Sequence, residues 1–151
     1  MKVEKYLDQI ERYIPLHEKS NKSVSQVNVG WQLDHCLNVI IKVSKAIKDS
    51  DPSNYQAKFH LTYEVLNVLF WLPRGKGRSP KSVLPDEQIT QESLEEKLKQ
   101  ARLLLKQLPS LTDKKYFEHP LFGDLKKERA IRFLGLHTHH HLKIVRDILG
   151  Q

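Results

Sequence analysis

The chain has 151 residues, 39% hydrophobic and 28% charged, enough for one domain over residues 1–151 with a core that needs no staples. Its single cysteine, Cys36, excludes an internal disulfide framework and fits a reducing compartment, with the cytoplasm expected. There is no apolar run of 18 residues and no leader pattern, so no membrane partner is expected.

A net charge of +7 and a pI near 9.5 raise the question of anionic partners. The densest basic stretch is Leu72–Lys81, with Arg74, Lys76, Arg78 and Lys81 and no acid. A smaller excess lies at Lys126, Lys127, Arg129 and Arg132. Elsewhere the two signs alternate as on solvated helix faces, and no nucleic-acid fold signature accompanies them. Nucleic acid is therefore not an expected partner. The basic stretch lacks G-x-x-x-x-G-K-S/T and is not a P-loop; it reads as a solvated linker or an anion-binding lid.

In chain order, residues 2–18 carry Val3, Tyr6, Leu7, Ile10 and Ile14 at helical spacing, with Pro15 predicting a kink or an early end. A second helix is predicted over 28–48, with Asn28 as N-cap and a stripe of Leu33, Cys36, Leu37, Ile40, Ile41, Val43 and Ile47. Trp31, His35 and Val39 run along its flank. Residues 54–72 form an aromatic-rich helical segment through Tyr55, Phe59, Tyr63, Leu66, Leu69, Phe70 and Trp71. The proline- and glycine-bearing stretch 72–88 reads as a loop. Thr90 caps a helix over 91–108, stapled by Ile89 and Leu94 and closed by Pro109. Residues 109–125 read as a second loop, and the last helix runs over 127–149 to Gly150. No segment alternates with period two, so the expected class is all-α, a four-helix bundle with an extra helix in the long crossover.

Four of the eight histidines, His137, His139, His140 and His141, fall within five positions of the last helix. His137 and His141 continue the apolar line of Phe133, Leu134, Ile144, Val145 and Ile148, so they face inward. As i,i+4 neighbours, with Cβ atoms roughly 6 Å apart, they can turn ring nitrogens onto one ion at about 2.0–2.1 Å. Core histidines with satisfied hydrogen bonds are the plain alternative. An ion needs a third protein ligand, and His35 on the flank of the second helix is the candidate. It lies on the order of 10 Å past that helix's start, a level that meets His137 and His141 if the two helices are antiparallel neighbours. His17, His60 and His119 sit near ends, loops or polar faces.

Trp31-Gln32-Leu33-Asp34-His35, the segment His119-Pro120-Leu121-Phe122-Gly123-Asp124-Leu125 and His137-Thr138-His139-His140-His141-Leu142, in that order, resemble the DinB/YfiT superfamily of metal-dependent helical bundles. The family's one histidine on the second helix and His-x-x-x-His pair on the last map onto His35, His137 and His141. Lys126 stands where a threonine or serine cap belongs in the family. The resemblance implies an up-down-down-up bundle, a homodimer, and a divalent metal near one end of the bundle. Characterised relatives include thiol transferases, so a low-molecular-weight thiol is the small-molecule substrate it suggests.

Three neutral imidazoles leave coordination positions for water or substrate, which marks a reactive site more than a structural one. Zinc or nickel suits such donors. Hydrolysis and thiol transfer both fit the ligand set. A non-catalytic metal-binding module and a basic interaction protein are the alternatives. No general base stands out: Asp34 and Cys36 point away from His35 around the helix, and Glu64 reads as solvated.

Overall fold

A computed structural model of the chain describes residues 2–57, 59–70, 72–74, 83–85 and 88–151. Among these the protein is mostly helical, with α1 (Lys2–Tyr13), α2 (Val29–Asp49), α3 (Leu61–Leu69), α4 (Gln91–Gln107) and α5 (Lys127–Leu149). A hairpin of β1 (Tyr116–His119) and β2 (Gly123–Lys126) lies between α4 and α5. No helix among the described residues is long and apolar enough to cross a membrane.

Caps set the long helices. Asn28 Oδ1 accepts from the Trp31 N–H at 2.9 Å and starts α2. Thr90 and Ser93 cap each other's backbone at the start of α4, at 3.0 and 3.1 Å. Gly150, at φ 72°, ends α5 in the left-handed conformation that glycine adopts without strain. Lys126 begins α5 with no side-chain cap. Strand β2 feeds this helix directly, and the Lys127 N–H is taken by the Lys115 carbonyl at 2.8 Å. Pro15 ends α1 in a short 3-10 turn, Ile14–Leu16.

The core is built from the stripes expected of these helices: Leu7 and Ile10, Leu33, Leu37, Ile40 and Ile47, Leu94, Leu98 and Leu105, Leu134, Leu142 and Val145, all buried. Helix α2 packs against both α4 and α5, and α1 against α5 and α4. Along α1 and α5, Tyr6 meets His139, Gln9 accepts from Arg146 at 3.3 Å, and the Tyr13 hydroxyl donates to Gln151 at 3.3 Å. Helix α4 is tied to α2 through Lys97 and Asp34, and to α1 through Arg102 with Asp8 and Glu11.

Two stretches depart from expectation. The helix predicted over 54–72 is confined to Leu61–Leu69. Before it, Pro52–Asn54 forms a 3-10 turn, and the Gln56 N–H goes to Asp124 Oδ2 at 2.7 Å, where a helix would have turned it back on its own carbonyls. After it, Phe70 takes a left-handed φ of 47°. Trp71 lies outside the described residues. The second departure is the hairpin, which stands where a loop and an all-α class were expected. Its register pairs Tyr116 with Lys126 and His119 with Gly123, and Gly123 closes the turn at φ 64°. Lys115 Nζ donates to the carbonyls of Lys48 and Ser50, at 2.8 and 2.6 Å, tying the hairpin to the end of α2. Of the basic stretch, Arg74 is described and is paired with Asp147 of α5; Lys76, Arg78 and Lys81 lie outside the described residues.

Candidate metal centre

The three expected residues come together. His35 from α2 and His137 and His141 from α5 each offer a nitrogen, all within 4.8 Å of one another. Ring centroids are 5.0 Å apart for His35–His137, 4.7 Å for His35–His141 and 4.5 Å for His137–His141. Three nitrogens at about 2.0–2.1 Å from one tetrahedral ion lie roughly 3.4 Å apart, so coordination asks for a closure of at most about 1.5 Å. His35 is buried, while His137 and His141 keep partial exposure, which gives the cluster an open side.

The outer hydrogen bonds set the tautomers. His35 Nδ1 lies 2.9 Å from the Val83 carbonyl, which can only accept, so the ring carries its proton on Nδ1 and its lone pair on Nε2. His141 Nδ1 lies 2.6 Å from Gln32 Oε1. Gln32 Nε2 in turn donates to Ser25 Oγ at 3.3 Å. His141 therefore also presents Nε2 as its lone-pair nitrogen. Among the described residues, His137 Nδ1 is buried without a hydrogen-bond partner. An orphaned ring nitrogen on a histidine grouped with two tautomer-fixed imidazoles fits a ligand set better than a core of satisfied histidines.

Electrostatics point the same way. Burial lowers the His35 pKa, against smaller raising effects from the Val83 carbonyl and Asp34. Burial first, then the neighbouring imidazoles, holds His137 and His141 well below the ordinary histidine value. All three rings are thus kept neutral, the form that binds a metal. Around them, Trp31 stacks on His35 at 5.2 Å and 24°, Phe133 lies 5.8 Å from His137, and His140 sits edge-on to His141 at 5.1 Å.

The remaining candidates are placed elsewhere. His139 packs between Tyr6 and Phe70 on the flank toward α1. His17 Nδ1 bonds to Ile14 O at 3.1 Å near the end of α1, and His60 precedes α3. His119 stacks on Phe122 at 4.4 Å and packs edge-on against Phe133 at 4.7 Å. Its Nδ1 accepts from the N–H groups of Leu121 and Phe122 at 3.1 and 3.3 Å, so it staples the hairpin turn. Asp34 is occupied by Lys97 at 2.7 Å and Asn38 at 2.8 Å, and Glu64 by Arg129. The Cys36 thiol is fully buried, and burial pushes its pKa up, away from thiolate character.

Gln32 and Val83 were given no role from sequence. Gln32 carries a readable signal, a polar side chain three residues before His35 on the same helix face. Val83 acts through its carbonyl, which no residue identity announces. A concavity of about 640 Å³ is lined in part by His17, Asn28, Trp31 and Thr90. No family model, curated protein or solved structure matches the chain.

Proposed function

We propose that this chain holds one divalent metal ion, zinc or nickel, on His35, His137 and His141, and uses it in a transfer reaction on a low-molecular-weight thiol or in a hydrolysis. The observation that carries the reading is the trio itself: three ring nitrogens within 4.8 Å, two of them with tautomers fixed by outer hydrogen bonds and the third ring holding an orphaned Nδ1. A DinB/YfiT-like up-down-down-up arrangement of α1, α2, α4 and α5 belongs to the same proposal. The contacts that support it are paired in sequence: Tyr6, Gln9 and Tyr13 climb α1 as His139, Arg146 and Gln151 climb the chain end, while Gln32 and His35 meet His141 and His137 in the opposite sense.

A bound zinc or nickel supplies Lewis acidity, lowering the pKa of a coordinated thiol or water. The chain's own residues do the rest. Val83 and Gln32 hold the protons of His35 and His141 on Nδ1, so that the Nε2 lone pairs face the ion. Trp31 and Phe133 wall the cluster with apolar rings and limit the water that reaches it. The substrate's polar body extends past Trp31 toward the concavity of His17, Asn28 and Thr90.

Protein purified without an immobilised-metal step and analysed by mass spectrometry should carry a stoichiometric divalent metal. A panel of thiol acceptors and esters, run with and without chelator, should then show chelator-sensitive turnover. Metal without turnover would favour a non-catalytic metal-binding module, and absence of metal under all loading conditions would overturn the reading.

A further inference from the structure

Helix α3 is dressed the wrong way round for a peripheral helix. Only Tyr63 of its nine residues is buried, with its hydroxyl donating to the Arg129 carbonyl at 3.1 Å. Its outward stripe is apolar: Leu61 is 66% exposed, Val65 47%, Val68 76% and Leu69 63%, and Phe59, just before the helix, is 77% exposed. The positions i, i+4, i+7 and i+8 fall on one side of a helix, so these residues form a continuous ridge. With Phe59 they present on the order of 500–600 Å² of apolar surface, a patch of the size that marks an interaction site.

We infer that this ridge seats the chain on an anionic lipid surface, with α3 lying in the boundary between headgroups and acyl chains. The expectation of no membrane partner rested on the lack of a spanning run, and a helix lying in the plane of the interface needs none. Shape is the first argument. The ridge is convex, and a fluid acyl layer covers a convex apolar ridge without a matching pocket. The water-poor boundary also requires that backbone groups be satisfied. At the exposed end of α3 the Phe70 N–H returns to the Leu66 carbonyl, and Arg132 Nη2 donates to the Asn67 carbonyl at 3.1 Å. Two of the carbonyls that a helix end leaves open are thereby closed. Charge is the second argument. Glu64 is the single charged residue in α3, and it is paired with Arg129 of α5. Arg132 stands exposed beside the ridge, at the level where a headgroup phosphate would meet it. The twelve residues after Leu69 hold Arg74, Lys76, Arg78 and Lys81 with no acid, in a chain of net charge +7. The site itself is the ridge with Arg132; the basic residues beyond it add long-range attraction that needs no particular placement. Apolar area and positive charge together are what reversible attachment to an anionic surface takes.

The test is cosedimentation of the full chain with phosphatidylcholine vesicles, with and without about 30% phosphatidylserine. The wild type should sediment with the anionic vesicles, less so as salt is raised, and far less with the neutral ones. Val68→Ser/Leu69→Ser removes apolar area without changing charge, and should weaken attachment by more than about tenfold with unchanged far-UV circular dichroism. Arg132→Gln should weaken it by about fivefold on the anionic vesicles alone. Leu103→Ser, at a leucine of α4 that is 59% exposed, should leave it unchanged. Should the double variant unfold, Phe59→Ser decides, because Phe59 precedes the helix and is 77% exposed; it should weaken attachment severalfold. A wild type that stays in the supernatant, or that binds neutral and anionic vesicles alike, would overturn the inference. Equal sedimentation of the wild type and the serine variants would also overturn it, in favour of attraction by net charge alone. A wild type that stays in the supernatant and runs at twice the chain mass would assign the ridge to a second copy instead.

Discussion

The seam between α2 and α5 and the outer face of α3 depart from the usual inside-out rule in opposite directions. The seam buries polar rings: His35, with Gln32 and Asp34, is buried among leucines, and His137 and His141 are nearly so. The α3 face exposes Leu61, Val68, Leu69 and Phe59. A buried polar group or an exposed apolar patch is informative because each carries a free-energy cost that something must offset. In the seam the offset is partly visible, as hydrogen bonds to Val83 and Gln32, and is left incomplete at His137 Nδ1. Among the described residues, nothing covers the α3 face. For the seam, the proposed metal ion is the partner that would complete it.

The largest effect is expected where the seam is broken. His35→Ala, His137→Ala and His141→Ala should each lower metal affinity by more than the roughly 10–100-fold typical of lost outer hydrogen bonds. His139→Ala, although two residues from both His137 and His141, should leave it unchanged, since His139 lies between Tyr6 and Phe70. Competition titration against a chromogenic chelator gives the comparison, and equal losses at His139 and His141 would sink the ligand assignment.

Acid tests the part of the site region that is held neutral. His119 is held at a pKa of about 4 by burial, against an ordinary value of 6.5. Above pH 6.5 the ring is neutral in folded and unfolded chains alike, and its protonation does not affect stability. As pH falls from 6.5 toward 4, the unfolded chain takes the proton and the folded chain does not, so folding weakens by on the order of 3 kcal/mol across that window. His35, His137 and His141, also lowered, act with the same sign. In chelator, the melting temperature should therefore fall below pH 6.5, and His119→Asn, whose side chain can still accept from the turn, should flatten the fall. An unchanged slope would mean that His119 titrates normally.

Gln32 separates placement from ligation. Gln32→Leu keeps the volume and removes the acceptor for His141 Nδ1, so metal affinity should drop roughly 10–100-fold while stoichiometry at saturation is kept. Gln32→Glu restores an acceptor and should recover most of the loss. If neither variant moves affinity, the 2.6 Å contact does not set the His141 tautomer.

Much of this was legible in the sequence, for identifiable reasons. Caps and stripes placed α2, α4 and α5 within a residue or so, because Asn28, Thr90 and Gly150 each act through their own side chain or lack of one. The i,i+4 spacing placed His137 and His141 together, and helix rise put His35 at a compatible level. The hairpin was not legible: its strands are four residues long and bury only Leu125, which leaves no alternation to read. The aromatic run misled over 54–60 because Phe59 fits a helical stripe yet lies on the outside, while Gln56 gives its N–H to Asp124. Val83 shows the general limit, since a backbone carbonyl brought in from a loop has no sequence signature.

The smallest effect is expected at Arg74, and it tests whether the basic stretch belongs to the seam at all. Arg74 is paired with Asp147, and both side chains are substantially exposed. Exposed ion pairs lose most of their Coulomb gain to water and to the entropy of two long side chains. Asp147 also lies six residues beyond His141, about 9 Å further along α5, so the pair is removed from the ligands even though Arg74 lowers the neighbouring His140. Arg74→Gln should accordingly leave metal affinity unchanged and shift the melting temperature by less than about 2 °C. Capture of an anionic substrate is where a difference can appear. If Arg74 guides it, the variant should show a raised KM and a flatter dependence on salt with kcat unaltered, because screened long-range attraction acts on encounter and not on the reacting atoms. Wild-type KM at both low and high salt would assign Arg74 to tethering the chain after α3 onto α5, with no part in substrate capture.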